Sequence, residues 1–270
     1  MKTPIGISAI KVLVRGGGDL ASGVAWRLHH CGFRLFITEI DQPMAVRRKV
    51  SFCEAVYDGQ AVVEGVKALL VRDAQDVYKV WDQGHIPVLV DPKAEAKHVI
   101  RPDVLLDAIL AKKNLGTSAD DAPLVIALGP GFEAGKDAHF VVETNRGHNL
   151  GRLLKKGSAE PNTGLPGPVQ GITEDRVLRA PANGKWENAV EIGDLVSQGD
   201  LIGSVAQQPV QAKIDGILRG LIRPGINVTK GLKIGDIDPR GMKAFCYTIS
   251  EKALAIAGGV LEGILRSYRG

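Results

Sequence analysis

Lys11-Val12-Leu13-Val14-Arg15-Gly16-Gly17-Gly18-Asp19-Leu20-Ala21 runs from a short apolar, β-branched stretch straight into a glycine turn. Beyond it, apolar residues recur four apart at Leu20, Val24 and Leu28 until Gly32 interrupts them. Strand, glycine turn, helix and glycine stop make the first half of a βαβ unit. Residues 34–39 then read as the second strand, 66–72 and 87–91 as later strands, and 74–83 as a helix. Pro102 followed by 103–113, with lysines at the end, predicts another helix. Leu124-Val125-Ile126-Ala127-Leu128 predicts a buried strand that ends at Gly129-Pro130-Gly131-Phe132.

Composition sets the outer bounds. The chain has 270 residues, 44% hydrophobic and 24% charged, with a net charge of +4. That is one or two globular domains with a sizeable core. Its 33 glycines follow no Gly-X-Y period, which excludes collagen. Charges are dispersed rather than blocked, so no nucleic-acid partner is expected. Cys31, Cys53 and Cys246 form neither a disulfide framework nor a zinc pair. With no signal-peptide pattern at the start and no apolar run of membrane-spanning length, a cytoplasmic, membrane-free protein is expected.

After a stretch rich in Gly, Pro, Asn, Thr and Ser at 157–171, the pattern changes. Ala180, Gly184, Gly193, Val196, Gly199, Ile202 and Gly203 fall on Ala212, Gly216, Gly225, Val228, Gly231, Ile234 and Gly235 at a constant offset of 32. Such an ungapped repeat predicts a two-fold pseudo-symmetric β unit. It resembles the biotinyl and lipoyl carrier fold, but Val205-Ala206-Gln207-Gln208-Pro209-Val210 stands where the carriers place their lysine, so no covalent biotin or lipoate is expected. Residues 250–267 read as a helix introduced by Thr248-Ile249-Ser250-Glu251, a capping-box pattern. Its small residues Ala253, Ala257, Gly258 and Gly259 suit close packing.

The fold expected is α/β: a Rossmann-like parallel sheet over 1–160, a barrel-sandwich β unit of biotinyl/lipoyl type over 161–245, and a C-terminal helix over 246–270. In the first domain, Gly16, Gly17, Gly18 and Ala21 fit G-x-G-x-x-G/A, with Glu39 about twenty residues on for a ribose hydroxyl. Asp19 opposes ordinary dinucleotide docking, because it puts a negative charge where a phosphate would lie. Gly129 and Gly131 form a second turn at a strand end. Glu143, Arg146 and His148 offer an anion clamp and acid–base groups. The candidate catalytic residues are Asp19, Glu143 and His148. The candidate cofactor-binding residues are Gly16, Gly17, Gly18, Ala21, Glu39, Gly129, Gly131 and Arg146. No metal site is expected, since His139, Glu143 and His148 match no zinc spacing. Tight packing for the glycine turns and a solvated ion pair for the 143–148 loop are the alternative readings. His29-His30, Arg47-Arg48-Lys49 and Cys53 are weaker candidates.

Arg15-Gly16-Gly17-Gly18-Asp19-Leu20-Ala21-Ser22-Gly23, Gly129-Pro130-Gly131-Phe132, Glu143-Thr144-Asn145-Arg146-Gly147-His148 and Gly235-Asp236-Ile237-Asp238-Pro239-Arg240 occur in order over nearly the whole chain. In these motifs it resembles a bacterial family of accessory proteins of the selenium-dependent molybdenum hydroxylase system. The resemblance implies a maturation factor that binds a molybdopterin-type cofactor, or another nucleotide-bearing one, and serves a molybdenum hydroxylase client. An NAD(P)-dependent oxidoreductase and a non-enzymatic scaffold docking through the β barrel are the alternative expectations.

Overall fold

A computed structural model describes residues 6–268; the expected leaderless start and the last two residues of the 246–270 segment lie outside them. The chain divides into two compact units. Unit 1 takes in the chain up to Pro43, Ser51–Asn162 and the chain from Ile249 on, and unit 2 takes in Met44–Val50 and Thr163–Thr248.

Unit 1 is built on strands β1 (Lys11–Arg15), β2 (Arg34–Glu39), β3 (Gln60–Val63), β4 (Val66–Val71), β5 (Ile86–Val90), β6 (Val104–Asp107), β7 (Leu124–Leu128), β8 (Glu133–Ala134), β9 (Phe140–Val142), β10 (Leu153–Leu154) and β11 (Gly157–Ser158). Its helices are α1 (Asp19–His30), α2 (Ala55–Asp58), α3 (Asp76–Asp82), α4 (Ala96–Ile100) and α5 (Glu251–Tyr268). Nine strands form one sheet in the order β10-β9-β7-β6-β1-β2-β5-β4-β3, and β11 pairs with β8 apart from it.

The expectation of a purely parallel, Rossmann-like sheet is corrected here: the sheet is mixed. Its centre is parallel, but β3 runs antiparallel to β4 and β10 antiparallel to β9. At one edge the cause is local. Glu64 and Gly65 both have positive φ, 41° and 82°, which closes a two-residue hairpin and turns the chain back. The helix expected over 103–113 is also corrected. Val104, Leu105 and Leu106 are fully buried in β6 at the sheet's centre, next to β1. A short apolar run covered on both faces is a strand, whatever helix-like signals flank it.

α5 packs within unit 1 through its small residues. A Cβ on Gly23 of α1 would lie 2.6 Å from Ala253 Cβ, and one on Gly263 would lie 3.1 Å from Ile126 and Leu153. Ser250 Oγ accepts a hydrogen bond from Ala253 N–H and so caps the helix, while the Thr248 hydroxyl donates backwards to Ala244 O.

Unit 2 comprises β12 (Val177–Arg179), β13 (Gly184–Asn188), β14 (Leu195–Val196), β15 (Leu201–Val205), β16 (Gln208–Gln211), β17 (Gly216–Leu221), β18 (Asn227–Val228) and β19 (Lys233–Asp238). They make two four-stranded sheets, β12-β19-β17-β14 and β16-β15-β13-β18. Shifting each strand by four in sequence order converts one sheet into the other, which is the 32-residue repeat in three dimensions. Equivalent bonds repeat too: Gly199 N–H donates to Ala212 O, and Gly231 N–H to Ala180 O, both at 2.8 Å. The expected biotinyl/lipoyl-like barrel is nonetheless corrected. The strand ladders run antiparallel within each sheet and none joins one sheet to the other, so each keeps two free edges and no closed barrel forms.

Candidate functional site

Strand order places the site. From β1 the chain passes through α1 to β2 on one side, and β6 lies on the other, so the carboxyl ends of β1 and β6 flank the point where the sheet order reverses. Open α/β sheets bind ligands in the crevice outside such ends.

The glycine turn there is mostly closed by protein. Gly16, at φ 91°, donates to Thr38 O, and a Cβ on it would lie 3.2 Å from Ala108 O. Gly17 N–H donates to Glu39 Oε2 at 2.7 Å, and its carbonyl accepts from Cys53 N–H at 2.9 Å and from the Ser22 hydroxyl at 3.0 Å. A Cβ on Gly17 would lie 2.9 Å from Cys53 N, so this glycine makes room for the Phe52–Glu54 turn rather than for a pyrophosphate. Gly18 differs: nothing lies within 4 Å of where its Cβ would be. Asp19 opens α1 directly after it, and Ala21 is buried in the core.

Glu39 is a structural acceptor in this arrangement. Its second oxygen takes Ile40 N–H at 2.8 Å, and burial pushes its carboxyl above the ordinary range despite both amide bonds. Burial, with Glu39, Glu54 and Asp19 nearby, also pushes the Cys53 thiol well up, which removes it as a thiolate nucleophile.

The second glycine turn is closed as well. A Cβ on Gly129 would lie 2.5 Å from Thr144 Oγ1, and one on Gly131 would lie 2.6 Å from Lys113 N. Glu143, 2% exposed at the end of β9, accepts from Asn145 N–H at 2.6 Å and Glu160 N–H at 2.7 Å. Glu160 in turn is held below the usual carboxylate range by the Asn145 and Asn149 amides. Arg146 is paired with Glu251 at the start of α5. His148 is exposed on the loop and makes no hydrogen bond among the described residues. The weaker candidates lie elsewhere. Arg47 donates to Phe245 O and Thr248 O within unit 2, and Arg48 to Leu221 O and Glu191. His30 bonds to Trp26 O in its own helix.

Two features of this end of the sheet escaped the sequence reading. Arg15, Asp107 and Thr117 form a buried network: Arg15 Nη1 donates to Thr117 Oγ1 and lies 3.4 Å from Asp107 Oδ2, and the Thr117 hydroxyl donates to Asp107 at 2.6 Å. Burial raises the Asp107 carboxyl, while Thr117 and Arg15 pull the other way. The segment of chain between Asp107 and Thr117 carries Leu110 and Lys112 at φ 59° and 63°, a conformation that costs non-glycine residues energy. The other feature is Lys252, half-buried on the first turn of α5. Asp107 was hidden by reading 103–113 as a helix, and Lys252 by the absence of any motif around it.

Among the described residues no cluster of three or more His, Cys, Asp or Glu side chains is placed to hold a metal. No helix among them is long and apolar enough to cross a membrane.

No family model matches the chain. It is 50% identical over 254 residues to the uncharacterized protein YqeB of Escherichia coli K12; the match covers 94% of this chain and 47% of that protein, so the chain spans about half the length of this curated relative. Among solved structures it aligns with a succinylglutamate desuccinylase/aspartoacylase from Rhodobacter sphaeroides (15% identity, 84% of each chain, TM-score 0.27). It also aligns with an aspartoacylase family protein from Mesorhizobium loti (13% identity, 84% of each chain, TM-score 0.27). An ectoine utilization protein from Ruegeria pomeroyi scores 0.24 at 11% identity, over 84% of this chain and 56% of that one. Scores this low carry neither fold nor activity across. The accessory-protein reading finds no counterpart in any of these comparisons. The structural neighbours are described as desuccinylases and aspartoacylases, and the sequence relative has no described function. The expected maturation role for a selenium-dependent molybdenum hydroxylase is therefore corrected and set aside, together with its oxidoreductase and barrel-docking alternatives, because none of these proteins carries such a description.

Proposed function

We propose that unit 1 is a small-molecule-binding module and that its ligand is a compact anion seated at the Gly18–Asp19 turn. The observation that carries this reading is the contrast along the glycine turn. Gly16 and Gly17 are packed against neighbouring backbone, whereas the Cβ direction of Gly18 opens onto free space at the reversal point of the sheet. The first turn of the 12-residue helix α1 begins there, and helix N-termini favour negative charge. Glu39 rigidifies the turn from below by holding the Gly17 and Ile40 amides.

A thermal-shift panel of inorganic phosphate, pyrophosphate, AMP, ATP, citrate and acetate tests the reading. A ligand at a hundred times its dissociation constant adds about 2.7 kcal/mol to the state that binds it. For units of this size that raises the melting temperature by several degrees. A rise with at least one of these anions supports the module as a receptor. No rise with any of them, up to tens of millimolar as a rough ceiling, removes the reading.

A further inference from the structure

The backbone around Lys252 is fixed at three neighbouring residues. Ile249 N–H donates to Glu64 Oε1 at 2.6 Å, Ser250 caps α5, and Ala253 packs into the notch left by Gly23 of α1. The side chain therefore leaves a fixed backbone beside Gly23 of α1. Its charged neighbours are Arg146, Asp19, Glu143 and Glu251. Most of these are committed: Arg146 to Glu251, and both oxygens of Glu143 to backbone amides. The Lys252 ammonium, although half-buried, makes no hydrogen bond or ion pair with any described residue. A partly desolvated cation without a partner is costly, and an oxyanion placed against it forms a charge-assisted hydrogen bond.

We propose that Lys252 receives a single oxyanion of the ligand, a carboxylate or a phosphate monoester, at the crevice beside Asp19. This deepens the reading of the preceding subsection and rests on it. The limit to one oxyanion follows from the charge count. Of the two cations in this cluster Arg146 is paired with Glu251 and Lys252 is not, while Asp19 and Glu143 both carry negative charge, so the further charges on a di- or triphosphate meet repulsion rather than a second partner. Burial, with the Arg146 guanidinium alongside, pulls the Lys252 amine below the ordinary lysine range, which makes it more reactive than an exposed lysine.

Pyridoxal 5′-phosphate is a suitable probe because it joins a phosphate monoester to an aldehyde. The lysine amine adds to the aldehyde carbonyl and the adduct loses water to give an imine. Borohydride then delivers hydride to the imine carbon and fixes the product as a secondary amine, which peptide mass spectrometry locates. Lys252 is expected to be labelled faster than exposed Lys213, and inorganic phosphate or acetate to slow Lys252 alone. The arm that protects at lower concentration distinguishes a phosphate ester from a carboxylate. In parallel, Lys252→Arg should keep the rise in melting temperature caused by that anion and Lys252→Met should lose it, each rise being measured against the variant's own ligand-free value, which for Lys252→Met should be no lower than the native one.

Labelling of Lys252 no faster than Lys213, or faster labelling that neither anion slows, overturns the proposal. The two readings fail separately. Protection of Lys252 that survives Gly18→Leu removes the Gly18 crevice and leaves the lysine as an anion site. Anion stabilisation that depends on Gly18 but not on Lys252 removes only the lysine.

Discussion

Glu39 joins the end of β2 to the glycine turn after β1, and its titration gives that contact a pH signature. Burial raises its carboxyl above 4.5 in the folded protein. In the window just above 4.5 the native state therefore holds more protons than the unfolded one, and stability falls as pH rises through it. Glu39→Gln should flatten that fall, measured as urea stability between about pH 4 and pH 7. An unchanged slope would mean that Glu39 does not titrate in the fold. The Arg15–Asp107 pair is 7% and 2% exposed, and removing one partner strands a buried charge. Asp107→Ala should cost about 3–5 kcal/mol, whereas replacing both residues by Met and Leu should cost much less. Equal losses in the single and double variants would show that the pair contributes packing alone.

At the scale of elements, the repeat offers an internal control. Gly199 and Gly231 occupy equivalent positions with φ of 95° and 85° and open surroundings, so alanine at either is opposed by backbone strain alone. Gly199→Ala and Gly231→Ala should each destabilise unit 2 by about 1–2 kcal/mol, and by similar amounts in chemical denaturation. A marked difference would break the equivalence. The same elements mark what could be read from the chain. β1, α1 and β2 are local patterns of period 2 and 3.6 with glycine punctuation, and the repeat is visible because left-handed turns demand glycine at fixed spacing. The strand at 104–107 was not legible, because three apolar residues followed by Asp-Ala-Ile-Leu-Ala-Lys-Lys satisfy helix rules equally well. Only its neighbours β1 and β7 make it a strand. The separation of unit 2 into two open sheets depends on which strands share ladders, which spacing does not record. In the site, the glycines were legible as turns but their roles were not. What distinguishes Gly17 from Gly18 is the Phe52–Glu54 segment brought in from more than thirty residues away. Lys252 lies still further along the chain and carries no local motif.

Across the whole molecule, the chain builds unit 1 and unit 2 from interleaved segments, with Met44–Val50 in unit 2 before the sheet of unit 1 is complete. Unit 1 carries the open turn and the unpaired lysine, and unit 2 carries the repeat. An anion seated at the Gly18 turn would be displaced by a side chain at position 18. The Gly18 φ of −66° and ψ of −179° are open to any residue, and its Cβ direction is free, so a side chain there fills the crevice without straining the fold. The decisive measurement is the melting temperature by scanning calorimetry of the native protein and Gly18→Leu, each against rising concentrations of inorganic phosphate and of AMP. A rise with anion for the native protein and none for Gly18→Leu, each measured against its own anion-free melting temperature, are the predicted result. A rise of the same size in both proteins, or in neither, would contradict it.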